Sequence, residues 1–167
     1  MNSTVRQMCE SDLPAVLSVQ ADCYPPFYLE DASAFEAKLR LNPGGSWVVC
    51  RERQVVGYLV TVLTDELHIP SLNSDSLGEP VRPHMLFIHD LALNAEARGL
   101  GLSNVMLASA FEYARCRAVS SIALVAVQGT SVFWSRQGFQ ACTPRHPVMQ
   151  QRLASFGPDA LYMMRRP

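Results

Sequence analysis

The sequence has few charged residues and an almost balanced charge, and these two shortages exclude several classes of protein. Charged residues make up 17% of the 167 residues, and 14 basic residues against 15 acidic ones leave a net charge of −1. A surface this close to neutrality has no overall field to attract a phosphate backbone, so we expect no nucleic-acid partner. Apolar residues make up 49% of the chain, which is too high for a chain that is disordered throughout.

The sequence also lacks a long apolar run, a secretion signal and a Cys-x-x-Cys pair. No uncharged apolar run approaches the roughly 18 residues of a membrane-spanning helix, so we expect no membrane association. The first residues lack the basic and apolar regions of a secretion signal. The five cysteines are an odd number that cannot all pair, and their spacing does not match a zinc site. We therefore expect a reduced, cytoplasmic protein without a bound metal.

The length and the pattern of apolar residues predict one α/β domain over residues 1–167. The length favours a single domain, and no linker, repeat or charge block divides the chain. Helical spacing and turn residues predict four helices, near residues 12–22, 31–41, 101–117 and 131–136. Alternating or continuous apolar runs predict seven strands, at residues 5–8, 46–50, 55–63, 85–93, 121–127, 139–143 and 160–164. This order is typical of a domain with a mixed sheet.

Two segments of the predicted fold are candidates for a functional site. Residues 65–84 form the longest stretch without a clear period, and long loops in compact domains are often lids or binding loops. Residues 85–93 are almost continuously apolar, which indicates a strand buried on both faces, but His89 and Asp90 interrupt them. Neighbouring strand residues point to opposite faces, so we expect Asp90 to face away from His89 unless a β-bulge intervenes. We expect Asp90 to be a ligand of backbone N–H groups or a surface acid.

A glycine-rich loop joins this strand to the next predicted helix. Glycines allow the backbone to approach a ligand closely, and the free N–H groups of a helix N-terminus suit a phosphate group. Arg98 would add a charged partner. The loop lacks the lysine of a P-loop and the third glycine of a dinucleotide-binding fingerprint. The glycine-rich loop therefore predicts a phosphate site of another type. The alternative is a turn that only caps a core helix.

The loop resembles the Q/R-x-x-G-x-G/A motif of the GNAT N-acetyltransferase superfamily, in the form Arg98-x-x-Gly101-x-Ser103. Two flanking segments also resemble the family's, namely Leu91-Ala92-Leu93 and Phe133-Trp134-x-x-x-Gly138-Phe139. Most of the chain is similar to the serotonin (arylalkylamine) N-acetyltransferase branch, through Tyr24-Pro25, Asn42-Pro43, Trp47-x-Val49, Val55-Val56-Gly57, Thr64-Asp65-Glu66 and His84-x-x-x-Ile88-His89-x-Leu91-Ala92.

The resemblance implies a fold and a cosubstrate. It implies a single-domain GNAT-like fold, whose mixed, mostly antiparallel sheet is flanked by helices and has a splayed strand pair for acyl-CoA. The cosubstrate would be acetyl-CoA. Its pantetheine would pair with the strand residues Leu91, Ala92 and Leu93. Its pyrophosphate would bind the loop formed by Arg98, Gly99, Leu100, Gly101, Leu102 and Ser103.

His89 and Trp134 are the candidate catalytic residues. An amine must lose a proton before it attacks a thioester, and a histidine titrates near neutrality, so His89 is the candidate base. The resembling branch has two histidines in this strand, and Phe87 replaces the first. Trp134 stands where the family usually has a tyrosine that protonates the leaving thiolate, and an indole N–H cannot do so. The alternatives are a hydrogen-bonded core histidine and a tryptophan that only packs.

The predicted substrate is a small primary amine, which attacks acetyl-CoA directly in a ternary complex. The aromatic cluster near residue 25 would line its pocket together with the core strand, giving the set Tyr24, Pro25, Phe27, Tyr28 and Phe87. Core packing is the alternative for this cluster. We expect four nearby acids to be solvated charges, and attraction of the substrate ammonium is the alternative for them: Glu30, Asp31, Asp65 and Glu66. A homodimer is possible on this sequence, and the competing functions are a non-catalytic acyl-CoA-binding module and a protein N-acetyltransferase.

Overall fold

The chain folds around one seven-stranded sheet in this computed structural model, which describes residues 3–80 and 82–167. The elements are β1 (Ser3–Gln7), α1 (Leu13–Cys23), α2 (Ala32–Leu41), β2 (Trp47–Arg51), β3 (Gln54–Thr64), β4 (Met85–Leu93), α3 (Leu102–Cys116), β5 (Ser121–Ala126), α4 (Ser131–Arg136), β6 (Gln140–Ala141), α5 (Pro147–Ala154) and β7 (Leu161–Arg165). The strand order is β1-β2-β3-β4-β5-β7-β6. Only the β4–β5 pair is parallel among the described strands, so the predicted mixed, mostly antiparallel sheet is confirmed.

Prolines and glycines set the ends of the first two helices. Helix α1 begins after Asp12 with Pro14 in its first turn, where a proline costs no hydrogen bond. The pair Pro25 and Pro26 prevents its continuation. Helix α2 begins after Asp31 and ends before an Asn-Pro-Gly-Gly turn at residues 42–45. The segment between the two helices is therefore short and crosses one face of the sheet.

Helices cover both faces of the sheet, and alternate strand residues supply the two cores. On one face, α3 and α4 pack against side chains that include Trp47, Val49, Leu59, Leu86 and Ile88. On the other face, α1 and α2 pack against Val48, Tyr58, Val60 and Ala92, and α5 packs against Met85, Phe87 and Ala123. This alternation is what a sheet buried on both sides requires.

Strand β4 changes its pairing in the middle, and this change creates the functional site. Its pairing with β5 runs only from Met85 to Ile88, so the two strands diverge beyond that point. On its other edge, Val60 pairs with Asp90 and Thr61 with Ile88, which leaves His89 as the extra residue of a β-bulge. The bulge puts the side chains of His89 and Asp90 on the same face, toward α1 and α2. The bulge is the exception to the predicted alternation, so Asp90 does not face away from His89.

Helix α5 was not among the predicted elements. It lies in the connection between β6 and β7 and packs Met149 into the core beside Phe87. Within residues 3–80 and 82–167, no helix has the length and apolarity needed to cross a membrane.

Candidate active site

A cavity of about 120 Å³ lies where β4 and β5 diverge. It brings together five of the predicted site residues: Tyr24, Tyr28, His89, Leu91 and Trp134. The other residues that line it are Glu30, Leu72, Ile88, Asp90, Leu124, Val125, Val127, Gln128, Thr130, Phe133 and Phe156.

Three residues predicted to bind the substrate lie outside this lining. Phe87 is wholly buried in the core under α5, in contrast to the prediction that it contacts the substrate. Phe87 precedes the bulge in the chain, and its side chain packs in the same core cluster as Met85 and Ala123. Phe27 is 61% exposed and contacts Tyr28 edge-on, and Pro25 is not among the lining residues either. The aromatic cluster thus contributes two of its rings to the cavity.

His89 is held by one nitrogen and is free at the other. Its side chain is 1% exposed, and Nε2 lies 2.7 Å from Oε1 of Glu30. Beside a carboxylate, Nε2 carries the hydrogen and donates it, so Nδ1 of the neutral imidazole has the lone pair. Nδ1 is buried and has no hydrogen-bond partner among the described residues. This arrangement suits a general base: the carboxylate of Glu30 fixes the orientation of the ring, and Nδ1 is left to accept a proton.

Glu30 is buried in this site, contrary to the expectation of a solvated charge. Its Oε1 pairs with His89, while its Oε2 accepts hydrogen bonds from Nζ of Lys38 at 3.0 Å and from the backbone N–H of Asn73 at 2.7 Å. Burial opposes the ionisation of Glu30, but electrostatic attraction and hydrogen bonding by its partners His89 and Lys38 lower its pKa to about 2. The carboxylate therefore stays charged at neutral pH.

Lys38 supplies the positive charge that this buried carboxylate requires. Its side chain is fully buried, and Nζ also donates to the carbonyl oxygen of Ala34 at 3.1 Å. Burial lowers the pKa of Lys38, and the charge of Glu30 opposes that shift. A buried charge without a partner is strongly destabilising, so Lys38 and Glu30 depend on each other.

Asp90 accepts hydrogen bonds from two phenols. The hydroxyl of Tyr24 lies 2.6 Å from Oδ1, and that of Tyr58 lies 2.5 Å from Oδ2. Burial raises the pKa of Asp90, and the two hydroxyl donors oppose that shift. Burial also raises the pKa of both tyrosines, so each remains a protonated donor. The expectation that Asp90 is a surface acid or a ligand of backbone N–H groups is therefore wrong.

The free edge of β4 presents backbone groups toward the divergence from β5. Asn94 donates its N–H to Val56 on β3, and backbone groups alternate between the two edges of a strand. Those of Leu93 and Leu91 therefore point away from β3. The carbonyl oxygen of Leu91 lies 3.2 Å from the Tyr24 hydroxyl, and that of Leu93 accepts from Nε of Arg98 at 3.0 Å. Ala92 instead packs against α1 and α2.

The glycine loop leaves open space at the N-terminus of α3. Gly99 and Gly101 have φ values of 73° and 74°, and a Cβ atom at either position would meet nothing within 4 Å. Helix α3 begins at Leu102 without a side-chain cap, so the N–H groups of Leu102 and Ser103 can face a ligand, while that of Asn104 donates to the carbonyl oxygen of Gly101. The open space and the helix N-terminus suit a phosphate group, and binding of a diphosphate by this loop stays a prediction. The guanidinium of Arg98 is engaged at Leu93, so its contact with a phosphate stays a prediction.

Trp134 lines the cavity from the opposite side. It is 7% exposed, and its ring contacts Phe133 and Phe139 edge-on, with centroid distances of 4.9 and 5.6 Å. This position is compatible with core packing, and a contact of the indole with the coenzyme A sulfur stays a prediction. Among residues 3–80 and 82–167, no group of three or more His, Cys, Asp or Glu side chains is placed to hold a metal ion.

Solved structures share this fold over almost their whole length. Ard1 from Thermoplasma volcanium is 15% identical, with a TM-score of 0.73 and coverage of 99% of this chain and 98% of that chain. The loading GNATL domain of CurA from Lyngbya majuscula is 13% identical, with a TM-score of 0.73 and coverage of 98% and 96%. Arabidopsis thaliana Naa50, in complex with the bisubstrate analogue CoA-Ac-MVNAL, is 12% identical, with a TM-score of 0.69 and full coverage of both chains, 100% each. At these identities the likeness establishes the fold alone.

The sequence itself identifies the family. No curated protein matches it significantly. The model of the acetyltransferase (GNAT) family matches residues 13–139, which is most of the chain and includes the cavity walls formed by β4, β5 and α4. The chain therefore belongs to the acetyltransferase (GNAT) family, whose members take the acetyl group from acetyl-CoA.

Proposed function

We propose that this protein transfers an acetyl group from acetyl-CoA to a small primary amine, with both substrates bound at once. One observation carries the proposal. The buried imidazole of His89 lines the cavity at the strand divergence, with Nε2 fixed by Glu30 and with no hydrogen-bond partner for Nδ1 among residues 3–80 and 82–167. A histidine that serves only as core packing would have no reason to leave one nitrogen unpaired.

His89 is the proposed base. A primary amine has a pKa of about 10.4 by analogy with lysine, so it is mostly an ammonium ion at neutral pH and must lose a proton to react. Nδ1 of His89 accepts that proton, directly or through water, and the adjacent charge of Glu30 stabilises the resulting imidazolium. Acetyl-CoA supplies the acetyl group as an activated thioester.

The proposed binding of acetyl-CoA uses backbone groups. The N–H groups of Leu91 and Leu93 face outward along the divergent edge of β4 and would pair with the pantetheine, whereas their carbonyl oxygens accept hydrogen bonds from Tyr24 and Arg98. The first turn of α3 and the two left-handed glycines, Gly99 and Gly101, form the cradle for the diphosphate. Because these contacts are made by the backbone, they constrain the shape of the loop more than the identity of its side chains.

The cavity favours an arylalkylamine as the acceptor. The rings of Tyr24 and Tyr28 line one side, and Phe156 packs edge-on against His89 with a centroid distance of 6.1 Å. Aromatic walls suit an aryl group, and the face of an aromatic ring also attracts a cation such as an ammonium ion. This combination supports the resemblance to the serotonin N-acetyltransferase branch.

A non-catalytic acyl-CoA-binding module is the second candidate, and Trp134 is the observation that favours it. An indole in the place of a phenol removes a proton donor from the cavity. Coenzyme A is a thiol with a pKa of about 8.5, however, so its thiolate can leave without a donor. Catalysis at a reduced rate is therefore the first candidate.

A thiol-release assay across a panel of arylalkylamines and short peptides tests the proposal. We expect the wild type to release coenzyme A with at least one amine, and His89→Ala to lose about 100-fold or more in kcat/KM while it still binds acetyl-CoA in calorimetry. His84→Ala is the matched control, because His84 is exposed and pairs only with Glu66 and a backbone carbonyl outside the cavity. Tight acetyl-CoA binding without turnover on any amine would establish the non-catalytic module instead. Unchanged turnover in His89→Ala would remove His89 from the mechanism.

A further inference from the structure

A segment of the long loop between β3 and β4 is attached to the carboxylate that directs the proposed base. The backbone N–H of Asn73 donates to Oε2 of Glu30 at 2.7 Å, while Oε1 of the same carboxylate holds Nε2 of His89 at 2.7 Å. Each oxygen of Glu30 therefore links a different part of the chain. A hydrogen bond to a buried carboxylate is charge-assisted and stronger than one between neutral groups.

The conformation of Asn73 is suited to this contact. Its φ is 54°, in the left-handed region that asparagine tolerates better than most residues. Its side chain bonds twice to Asp31, because Oδ1 accepts the Asp31 N–H at 2.8 Å and Nδ2 donates to Oδ2 at 3.2 Å. These contacts fasten the segment to the residue that follows Glu30 and direct the Asn73 N–H at its carboxylate.

The neighbouring residue, Leu72, forms part of the cavity wall. Its backbone N–H donates to Oγ of Ser155 at 3.3 Å, and the next residue, Phe156, contacts the His89 ring. Leu72 and Phe156 both line the cavity. The segment at residues 72–73 and the end of α5 thus close the cavity beside the proposed base.

We propose that Asn73 is a specificity-determining and positioning residue, which closes the amine side of the cavity and orients His89 through Glu30. The proposal rests on the proposed function. A compact amine fits with this segment in place. A peptide chain that entered along this side would displace Leu72, and the displacement would break the Asn73–Glu30 hydrogen bond that orients the base. The Asn73–Glu30 hydrogen bond therefore links two properties of the site: the exclusion of peptide substrates from the cavity and the orientation of the base.

Two substitutions of Asn73 separate its backbone geometry from its side chain. Asn73→Ala removes both contacts with Asp31 and disfavours the left-handed backbone, whereas Asn73→Gly removes the same contacts but permits that backbone. Ser74→Ala is the matched control in the same loop, because the hydroxyl of Ser74 bonds to the carbonyl oxygen of Ser76 and not to Glu30. The readout is the ratio of kcat/KM for a small arylalkylamine to kcat/KM for a short peptide, beside the melting temperature. Loss of folded enzyme scales both constants equally and leaves this ratio unchanged.

We expect Asn73→Ala to lower kcat for the small amine by about tenfold, which is typical for one hydrogen bond to a charged group, and to lower the amine-to-peptide ratio. Asn73→Gly should fall between the wild type and Asn73→Ala, and Ser74→Ala should match the wild type. If Asn73→Ala melts well below the assay temperature, Asn73→Gly carries the same test. A folded Asn73 variant with an unchanged ratio would overturn the proposal, while amine turnover by the wild type would leave the proposed function intact. A wild type without turnover on any amine would instead refute the proposed function.

Discussion

The direction of one carboxylate decides which nitrogen of His89 is available as a base. Glu30 holds Nε2, so the unpaired Nδ1 is the one that can accept a proton. Lys38 balances the charge of Glu30 from the other side. This division gives two functions to one buried cluster: the Lys38–Glu30 pair contributes to stability, and the Glu30–His89 pair contributes to reactivity.

Glu30→Gln separates these two functions. The amide cannot stabilise an imidazolium by charge, so we expect kcat/KM for the amine to fall by about 10- to 100-fold. It also leaves Lys38 buried without a counter-charge, and we expect the free energy of unfolding to fall by about 3–5 kcal/mol. The double variant Glu30→Gln/Lys38→Met removes the unpaired charge and should recover most of the stability but not the rate, measured by urea unfolding and thiol release. Recovery of both would show that Glu30 acts through stability alone.

Trp134→Tyr tests whether the missing proton donor limits the rate. A phenol can protonate a leaving thiolate and an indole cannot, so we expect Trp134→Tyr to raise kcat by up to about tenfold. Trp134→Phe is the control, since it also removes the indole but adds no hydroxyl. Both variants leave a gap in the cluster around Phe133 and Phe139, and that effect should be common to them. Equal kcat values for the two would mean that the thiolate leaves unprotonated.

Some residues of this site can be predicted from the sequence, and others cannot. A histidine in an apolar strand and a glycine-rich loop are visible because their residue types are unusual for their surroundings. Glu30 and Asp90 are not visible in this way, because most acidic residues are solvated and nothing local marks a buried one. Their burial depends on partners far along the chain, Lys38 and His89 for Glu30 and two phenols for Asp90.

At the scale of elements, the pattern of apolar residues predicts most helices and strands but not their registry. β4 and α4 were predicted with the ends that the structure has, because an apolar run bounded by polar residues and a terminal glycine mark them. The bulge at His89 arises from the pairing with β3, and a single strand's pattern does not reveal its partner's register. Helix α5 was missed because it spans only eight residues and buries only Met149 fully, which is too short for a clear helical period.

The surroundings of Gly57 on β3 show how closely β3 and β4 pack beside the point where β4 and β5 diverge. A Cβ atom there would lie 2.3 Å from Cδ2 of Leu93 and 2.8 Å from the carbonyl oxygen of Ala92. We expect Gly57→Ala to displace β4 where it faces the cosubstrate, to cost about 1–3 kcal/mol of stability and to weaken acetyl-CoA binding. Denaturant unfolding and calorimetry measure the two effects.

Gly44→Ala is the control for this prediction. Gly44 has a φ of 76° and lies in the turn after α2, and a Cβ there would approach only the side chain of Gln7. It should cost stability through the backbone and leave acetyl-CoA binding unchanged. Equal losses of binding affinity in Gly57→Ala and Gly44→Ala would mean that Gly57 affects the cosubstrate only through overall stability.

At the scale of the whole molecule, the order of strands and helices determines where the site forms. The parallel pair β4–β5 diverges at the bulge, and the loop between α1 and α2 delivers Glu30 and Tyr24 to that point from one face. The fold class follows from the sequence, because apolar periodicity and a family motif specify it together. A homodimer and a cytoplasmic location stay predictions, since neither follows from the packing of one chain.

Opposing pKa shifts predict how stability depends on pH. The hydrogen bond from Arg6 lowers the pKa of Asp12 to about 2, and the partners of buried Glu30 lower its pKa to about 2 as well. A carboxyl with a lowered pKa in the folded state stabilises it above its unfolded pKa, and this contribution is lost as the pH falls from about 4 toward 2. Burial raises the pKa of Asp90, so its contribution has the opposite sign: it opposes folding as the pH rises above about 4.

Two amide substitutions check these signs in urea unfolding at several pH values. Asp12→Asn should lower stability at pH 7 by about 1 kcal/mol, because the side chain of Arg6 is 44% exposed and water screens the pair. It should also reduce, by about the same amount, the free energy of unfolding that is lost between pH 4 and pH 2. Asp90→Asn removes a group that opposes folding above pH 4, so more of the free energy of unfolding should be lost as the pH falls from 4 to 2. A smaller loss in Asp90→Asn would mean that the two phenol hydrogen bonds outweigh burial, and that Asp90 is a stabilising carboxylate at neutral pH.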